Sequence, residues 1–367
     1  MSVPFVDLKA QQAEIMDEVG PEVLSILAEA AFIGGPHVDA FEREYAEYVG
    51  SRHCVGVGNG TDALELALRA VGVTPGGEVI LPVNTFIATA EAVSRIGAVP
   101  VFVDVDPQHL LIDPDAVRAA VSTRTEAIIP VHLFGQVAPV AALRPIAERA
   151  GVPIVEDSAQ SQGASSSEGC AGSLGTVAAT SFYPGKNLGA AGDAGAVTTD
   201  DAEIARAVRV LSAHGSEHKY VHERIGFNSR LDAIQAVVLR AKLTRLQAWN
   251  ERRHEAAERY HALLGAIPGV IVPESARGNR DVWHLYVVRV RERERVQSQL
   301  ADAGIATGIH YPTPLHLTSA YAQLGQAVGA FPVAEEAAGQ ILSLPMFPHI
   351  TPGQQEEVAV ALAGAIQ

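Results

Sequence analysis

The chemistry in this chain centres on an acid and a lysine. The acid opens Asp157-Ser-Ala-Gln160, and the lysine lies within Ser181-Phe-Tyr-Pro-Gly-Lys186-Asn-Leu-Gly. The residues before the acid, Gly151-Val-Pro-Ile-Val-Glu156, are mostly apolar and β-branched and read as a buried parallel strand. Asp157 then stands at the carboxyl end of that strand, the edge at which open α/β sheets bind ligands. Lys186 follows a Pro-Gly turn, which keeps it on a loop. Each residue alone is ordinary, since most lysines are solvated and an Asp after a strand is commonly a cap or turn residue. Together they suit pyridoxal 5'-phosphate (PLP), which needs a lysine for covalent attachment and an acid for its pyridinium nitrogen.

Three other stretches carry groups that could join them. Asn59-Gly-Thr-Asp62 runs into Ala63-Leu-Glu-Leu-Ala-Leu-Arg-Ala70, a clear helix, so glycine, hydroxyl and helix N-terminus combine in an anion-binding arrangement. Read on its own, the segment is better explained as a helix capped by Thr61 or Asp62. Phe86, at the start of the next helix, suits plain core as well as a site. Gly308-Ile-His-Tyr-Pro-Thr-Pro-Leu-His316 is a proline-held loop whose imidazole and aromatic groups could contact a sugar, although a single His is more often structural.

Asp-x-Ala-Gln followed by Ser-Phe-Tyr-Pro-Gly-Lys-Asn-Leu-Gly resembles the DegT/DnrJ/EryC1/StrS family of nucleotide-sugar aminotransferases. Matches run from near the N-terminus to Leu342-Ser-Leu-Pro-Met-Phe-Pro348, so the resemblance spans almost the whole chain. It implies a fold type I, aspartate aminotransferase-like α/β enzyme. A large three-layer α/β/α domain with a mostly parallel sheet would be followed by a smaller C-terminal α/β domain. It implies PLP as cofactor, cycling through its pyridoxamine form. Lys186 would be the catalytic lysine, while Gly60 and Thr61 would hold the cofactor phosphate and Phe86 would stack on the ring. Asp157, Gln160 and Ser181 would complete the cofactor set. Tyr183, His310 and Tyr311 would line the substrate cleft, with His316 a weaker candidate.

The resemblance further implies a homodimer with shared active sites. Asn228, in Gly-Phe-Asn228-Ser-Arg, would reach the partner's cofactor phosphate, and Lys219 would offer charge to a nucleotide pyrophosphate across the same interface. The implied substrates are a nucleotide-linked keto sugar and an amino-acid donor, usually glutamate. Family members that aminate sugar C4 usually carry Gly-Glu-Gly-Gly after the lysine, whereas C3 members resemble the Gly192-Asp-Ala-Gly195 of this chain. A dTDP-3-keto-6-deoxyhexose is therefore the leading expectation. A UDP-linked 3-keto sugar and a 4-keto sugar are the alternatives. A PLP-dependent dehydratase would carry histidine in place of Lys186. A non-catalytic PLP-binding regulator could dispense with the lysine or carry a DNA-binding extension.

The elements that must position these residues follow from pattern. Strands are expected at 54–58, 78–82, 98–104 and 126–132, alternating with helices up to the strand before Asp157. Such alternation implies a parallel sheet with right-handed crossovers, whose strand ends carry residues near 60, 86, 132 and 157. The N-terminal arm reads as helical over about 10–30, and the resemblance implies that it packs on the large domain. A helix through Leu231 to Leu243 is expected to end near Trp249-Asn-Glu-Arg-Arg, with the domain change at 245. Residues 1–245 would then form the arm and large domain and 246–367 the small domain, with a strand at Trp283–Val290.

Composition excludes some partners. A net charge of −15 argues against nucleic acid, because phosphate binding needs a basic face. Cys54 and Cys170 are too few for a disulfide framework or a structural zinc site, so no metal is expected. The early charges of Met1-Ser-Val-Pro-Phe-Val-Asp-Leu-Lys do not suit a signal peptide, and no apolar run approaches membrane-spanning length, so a cytoplasmic location is expected.

Overall fold

Val79, Ile80 and Leu81 have no exposed surface although they are consecutive, which requires cover on both faces of their strand. The computed structural model describes residues 2–366 and supplies that cover. Val79 and Leu81 pack into one helical layer with Leu64, Leu66 and Val93, and Ile80 packs into the other with Val117, Leu143 and Ile146. The result is a three-layer α/β/α arrangement.

Among the described residues the central sheet has seven strands. In spatial order they are His53–Val57, Gly195–Thr199, Val177–Ser181, Val155–Asp157, Thr125–Ile128, Glu78–Pro82 and Val99–Val103. Parallel bridges between Ile128 and Ile154 and between Val131 and Asp157 join its two halves. Gly195–Thr199 alone runs against its neighbours. The other six strands present their carboxyl ends, including Val57, Asp157 and Ser181, along one edge.

That edge is pinned from below by a fully buried pair. His132 Nδ1 accepts the Ala138 N–H (2.9 Å), so its Nε2 carries the proton donated to Glu156 Oε2 (2.7 Å). Glu156 also accepts from the backbone of Gly172, Leu174 and Gly175 at 2.9, 2.7 and 2.7 Å. The His132 N–H in turn donates to the Asp157 carbonyl at 3.0 Å. His132 therefore lies beneath the strand ends rather than among the groups at their edge. Glu156→Ala would strand three N–H groups and a buried imidazole, and should cost about 3–5 kcal/mol. Urea unfolding monitored by circular dichroism checks this; a loss below about 1 kcal/mol would show the pair to be dispensable.

The sequence expectation fails at Trp249. Ala233–Leu264 is a single 32-residue helix, N-capped by Asp232 through the Gln235 N–H (2.9 Å). Trp249 is buried and donates its indole N–H to Glu14 (3.0 Å), while Glu251 and Arg252 lie exposed on the helix surface. Polar residues there mark an exposed face, not a break. Leu239 and Leu246 serve the layer against the large sheet, and Ala256, Ala257, Tyr260 and Leu264 serve a second core with Val288, Leu342 and Leu362. Position 245 falls inside this helix.

The second core covers an antiparallel sheet of Val270–Ile271, Tyr286–Val290 and Ile341–Leu344. The strand expected from Trp283 begins at Tyr286, because Trp283 takes a left-handed backbone (φ 48°) and its carbonyl accepts from buried Arg253 (3.1 Å). The N-terminal arm divides between the two cores. Ile15, Val19 and Ile26 pack on the long helix beside Val237 and Val238, as expected. Val3 instead joins the second core and bridges Ile305, and Met346 donates its N–H to the Phe5 carbonyl at 3.3 Å. Among the described residues no helix is long and apolar enough to cross a membrane.

Candidate active site

The strand ends open into a cavity of about 760 Å³. Its lining brings together Gly60, Thr61, Phe86, Asp157, Gln160, Ser181, Tyr183, Lys186, His310 and Tyr311. Local geometry explains how each arrives there.

Gly60 begins a helix, Gly60–Ala70, whose cap is Asn59 rather than Thr61 or Asp62: the Asn59 Oδ1 accepts the Asp62 N–H at 2.8 Å. The earlier amides of the first turn have no carbonyl one turn back to accept them, and they lie at the cavity. A Cβ on Gly60 would stand 2.5 Å from the Ser181 Cβ, and one on Gly195 would stand 2.5 Å from the Asn59 carbonyl. Two glycines thus let the helix start, the end of Val177–Ser181 and the start of Gly195–Thr199 meet backbone to backbone. The concavity they leave is lined by N–H and hydroxyl groups, which suits an anion.

Asp157 is buried. Its Oδ2 accepts from the Thr89 hydroxyl (2.7 Å) and its Oδ1 from the Ala159 N–H (3.1 Å). Burial pushes its carboxyl above the ordinary range, and these hydrogen bonds with the Lys186 charge pull it partly back. Such a carboxyl is stabilised as an anion when a cation sits against it. Gln160 is committed on both sides, accepting the Phe134 N–H (2.7 Å) and donating to the Tyr311 hydroxyl (3.0 Å). The Phe86 ring lies 5.4 Å from that of Tyr311 and remains half exposed to the cavity.

Lys186 sits on a tight hook. Its N–H closes onto the Tyr183 carbonyl (2.8 Å), and the Ala190 N–H onto that of Phe182 (2.8 Å). A Cβ on Gly189 would fall 2.3 Å from the Pro184 carbonyl oxygen. Buried Lys242 donates to the Gly189 carbonyl (2.8 Å), and Asn187 donates to Asn250 and to the Val282 carbonyl, both at 2.9 Å. Desolvation lowers the Lys186 ammonium to about 8 against the opposing pull of Asp157. An uncharged fraction far above that of an ordinary lysine near neutral pH is the condition for a lysine nucleophile or base.

The opposite wall comes from the second core. His310 stacks on Phe5, with centroids 5.7 Å apart and planes within 14°, and its Nδ1 meets the Ser343 hydroxyl at 2.8 Å. Burial and the Lys186 charge push its imidazole down to about 4. His316 does not join it. It is buried against Phe331 and paired with Glu335 (3.0 Å), so it packs the wall from behind.

Asn228 and Lys219 also lie outside this cavity. Asn228 is exposed and accepts from Arg230 (3.3 Å), next to Ser229, whose hydroxyl accepts the Gly58 N–H (3.0 Å). Lys219 is exposed on a hairpin, 5.1 Å above the Tyr220 ring. Tyr220, Val221 and Ile225 on the same loop are also exposed, Ile225 almost completely.

The cavity also holds residues that pattern reading passed over. Thr89 fixes Asp157 from a helix that otherwise reads as core, Phe5 arrives from the chain start, and His284 hides in an apolar run that reads as strand. None of these belongs to the sequence motifs, although Thr85 and Thr89 at helical spacing were a faint signal.

Comparison with known proteins adds to this geometry. Residues 13–363 match the DegT/DnrJ/EryC1/StrS aminotransferase family. The chain is 49% identical over 366 residues to the erythromycin biosynthesis sensory transduction protein EryC1 of Saccharopolyspora erythraea, with 100% of both chains covered. It is 47% identical over 348 residues to the dTDP-3-amino-3,4,6-trideoxy-alpha-D-glucose transaminase of Streptomyces venezuelae, covering 95% of this chain and 92% of that one. The crystal structure of S. venezuelae DesV in complex with a ketimine intermediate superposes with a TM-score of 0.97 at 45% identity, over 100% of this chain and 99% of that one.

Proposed function

Because this chain belongs to the DegT/DnrJ/EryC1/StrS aminotransferase family, we propose that it is a PLP-dependent sugar aminotransferase. It moves an amino group from an amino acid, glutamate, to C3 of a dTDP-linked 3-keto-6-deoxyhexose. The observation that carries the reading is the meeting of Lys186, lowered to about 8, with buried Asp157 in one cavity beside the Gly60–Ser181 contact.

The residues present fit PLP. The concavity at Gly60, Thr61 and Ser181 would hold a phosphate, and Asp157 would hold a protonated ring nitrogen. Phe86 would cover the ring and Gln160 would stand beside it with Tyr311. When bound, PLP supplies an electron sink conjugated to the carbon that bears the amino group. Lys186 would attach it covalently and, once displaced, would take the proton from the donor's α-carbon on Nζ and redeliver it. Tyr183, His310 and Tyr311 surround the space left for the sugar. A neutral His310 favours a hydroxyl or carbonyl partner over an anion.

Asn228 and Lys219 enter this reading as contributions from a second copy of the chain. Their exposure beside Tyr220, Val221 and Ile225 supports an interface there, since an apolar loop tip of this kind marks a docking surface. The C3 preference rests on Gly192-Asp-Ala-Gly195, which places Asp193 at the cavity, and on the sugar named for the S. venezuelae relative.

A pair of half-reactions tests the proposal. Glutamate should bleach the absorbance of the bound cofactor, and a dTDP-linked 3-keto sugar should restore it while the 4-keto isomer does not. Restoration by the 4-keto sugar alone would leave the enzyme class intact and refute the C3 assignment. A UDP-linked 3-keto sugar acting faster than its dTDP counterpart would refute the choice of nucleotide. A protein that glutamate never bleaches is not a glutamate-dependent aminotransferase.

A further inference from the structure

His284 lines the active-site cavity, and its tautomer can be assigned from the hydrogen-bond network. The Asn187 side chain touches three partners. Two of them, the Asn250 Oδ1 and the Val282 carbonyl, are acceptors, so both contacts belong to the Asn187 NH₂. The third contact is from the Asn187 Oδ1 to the His284 Nδ1, at 3.2 Å. An amide oxygen only accepts, so Nδ1 carries the hydrogen and Nε2 is left with its lone pair. Asn187 is the residue after Lys186, so the hook that carries the lysine also sets this ring.

The backbone of His284 is closely packed, and its ring is without charge. A Cβ on Gly135 would stand 2.6 Å from the His284 backbone nitrogen, and the Leu285 N–H donates to the Phe134 carbonyl at 3.2 Å. Burial first, then the positive charges of Lys186 and Arg253, keep the imidazole well below its ordinary range. Arg253 behind it is itself buried and bonded only to carbonyls, those of Trp283 and Met346. Asp157, the acid of the site, is taken up by Thr89 and Ala159. An uncharged acceptor therefore stands in the cavity that also holds the lysine amine.

We propose that His284 is a positioning residue for Lys186, its Nε2 accepting an N–H hydrogen bond from the free amine and so turning the nitrogen lone pair toward the donor's α-carbon. This deepens the aminotransferase reading and rests on it. No proton is transferred to the ring. It fixes the direction of attack by a side chain whose four-carbon stem would otherwise sample many directions.

Amide substitutions separate the two ring nitrogens. Asn at position 284 places an N–H donor near the Nδ1 position and nothing at Nε2, whereas Gln reaches the Nε2 position with an acceptor. The readout is the rate at which apoprotein captures PLP on Lys186, followed by absorbance against pH. In the wild type this rate should rise through about 8, the value to which Lys186 is lowered, and level off above it, because only the uncharged amine attacks. A wild type that captures nothing would refute the aminotransferase reading itself.

Given wild-type capture, His284→Asn should lower the high-pH plateau by about tenfold, and His284→Gln should keep it within about twofold. The midpoint in His284→Asn should stay or fall, since an acceptor that favours the ammonium is gone. A midpoint rising toward the ordinary lysine value would mean that water had entered, and the role would be structural. Retention by Asn with loss by Gln would locate the function in the Asn187 bond. Equal loss in both, or unchanged capture with a raised KM for the sugar, would equally overturn the proposal.

Discussion

Lys186→Ala should lower turnover by roughly 10⁴-fold or more, the scale expected when a positioned acid–base group and its covalent attachment are lost together. The substitution removes a half-buried amine from a loop held by other residues. Lys242, Asn187 and the closure of Ala190 onto Phe182 all remain, so the fold should persist. Nucleotide-sugar binding measured by calorimetry should stay close to wild type, because Lys186 is needed at the transferring carbon rather than at the nucleotide. Single-turnover amination by protein loaded with pyridoxamine phosphate isolates the chemical step. A rate within tenfold of wild type would remove Lys186 from the mechanism.

Asp157→Asn should cost roughly 10²–10⁴-fold in turnover with little loss of stability. The network around Asp157 predicts both halves of that result. The Asn oxygen can still accept from Ala159, and its NH₂ can donate to Thr89, whose hydroxyl turns to Thr85 at 2.9 Å. The buried hydrogen bonds thus survive, within about 1 kcal/mol. An NH₂ cannot hold a ring nitrogen protonated, so the electron sink is weakened. Thermal melting and the half-reaction rate with glutamate, measured on one preparation, would separate the effects. Undiminished turnover would show that the carboxylate serves only to pack the strand end.

Much of this cavity was legible because two of its residues are placed locally. Asp157 sits at a strand end and Lys186 on a turn, which apolar periodicity and Pro-Gly chemistry reveal within a few residues, whereas Gly60 and Ser181 came from the family resemblance of their motifs. Their types also complement one chemical group. The rest depends on contacts between distant positions. His284 acquires its role from Asn187, 97 residues earlier, and Gln160 is occupied by Tyr311, 151 residues later. Neither relation leaves a periodic trace. The false break at Trp249 arose where a helix passes from one core to another and shows a polar flank between them. His316 looked like a site residue because its loop is one; packing against Phe331 and pairing with Glu335 turned its ring inward.

The contact between early and late segments of the chain has a consequence for synthesis. Val3 and Phe5 are made long before their partners, since the backbone groups that hold them belong to Gly304, Ala306 and Met346. The seven-stranded sheet, with its lysine and acid, can gather while translation is still under way. The cavity wall formed by Phe5 and His310 cannot, since closing it joins segments of the nascent chain made far apart in time. Until then Val3 and Phe5 must wait unpaired, and a chain truncated before Met346 would carry Lys186 with one wall of its cavity unfinished.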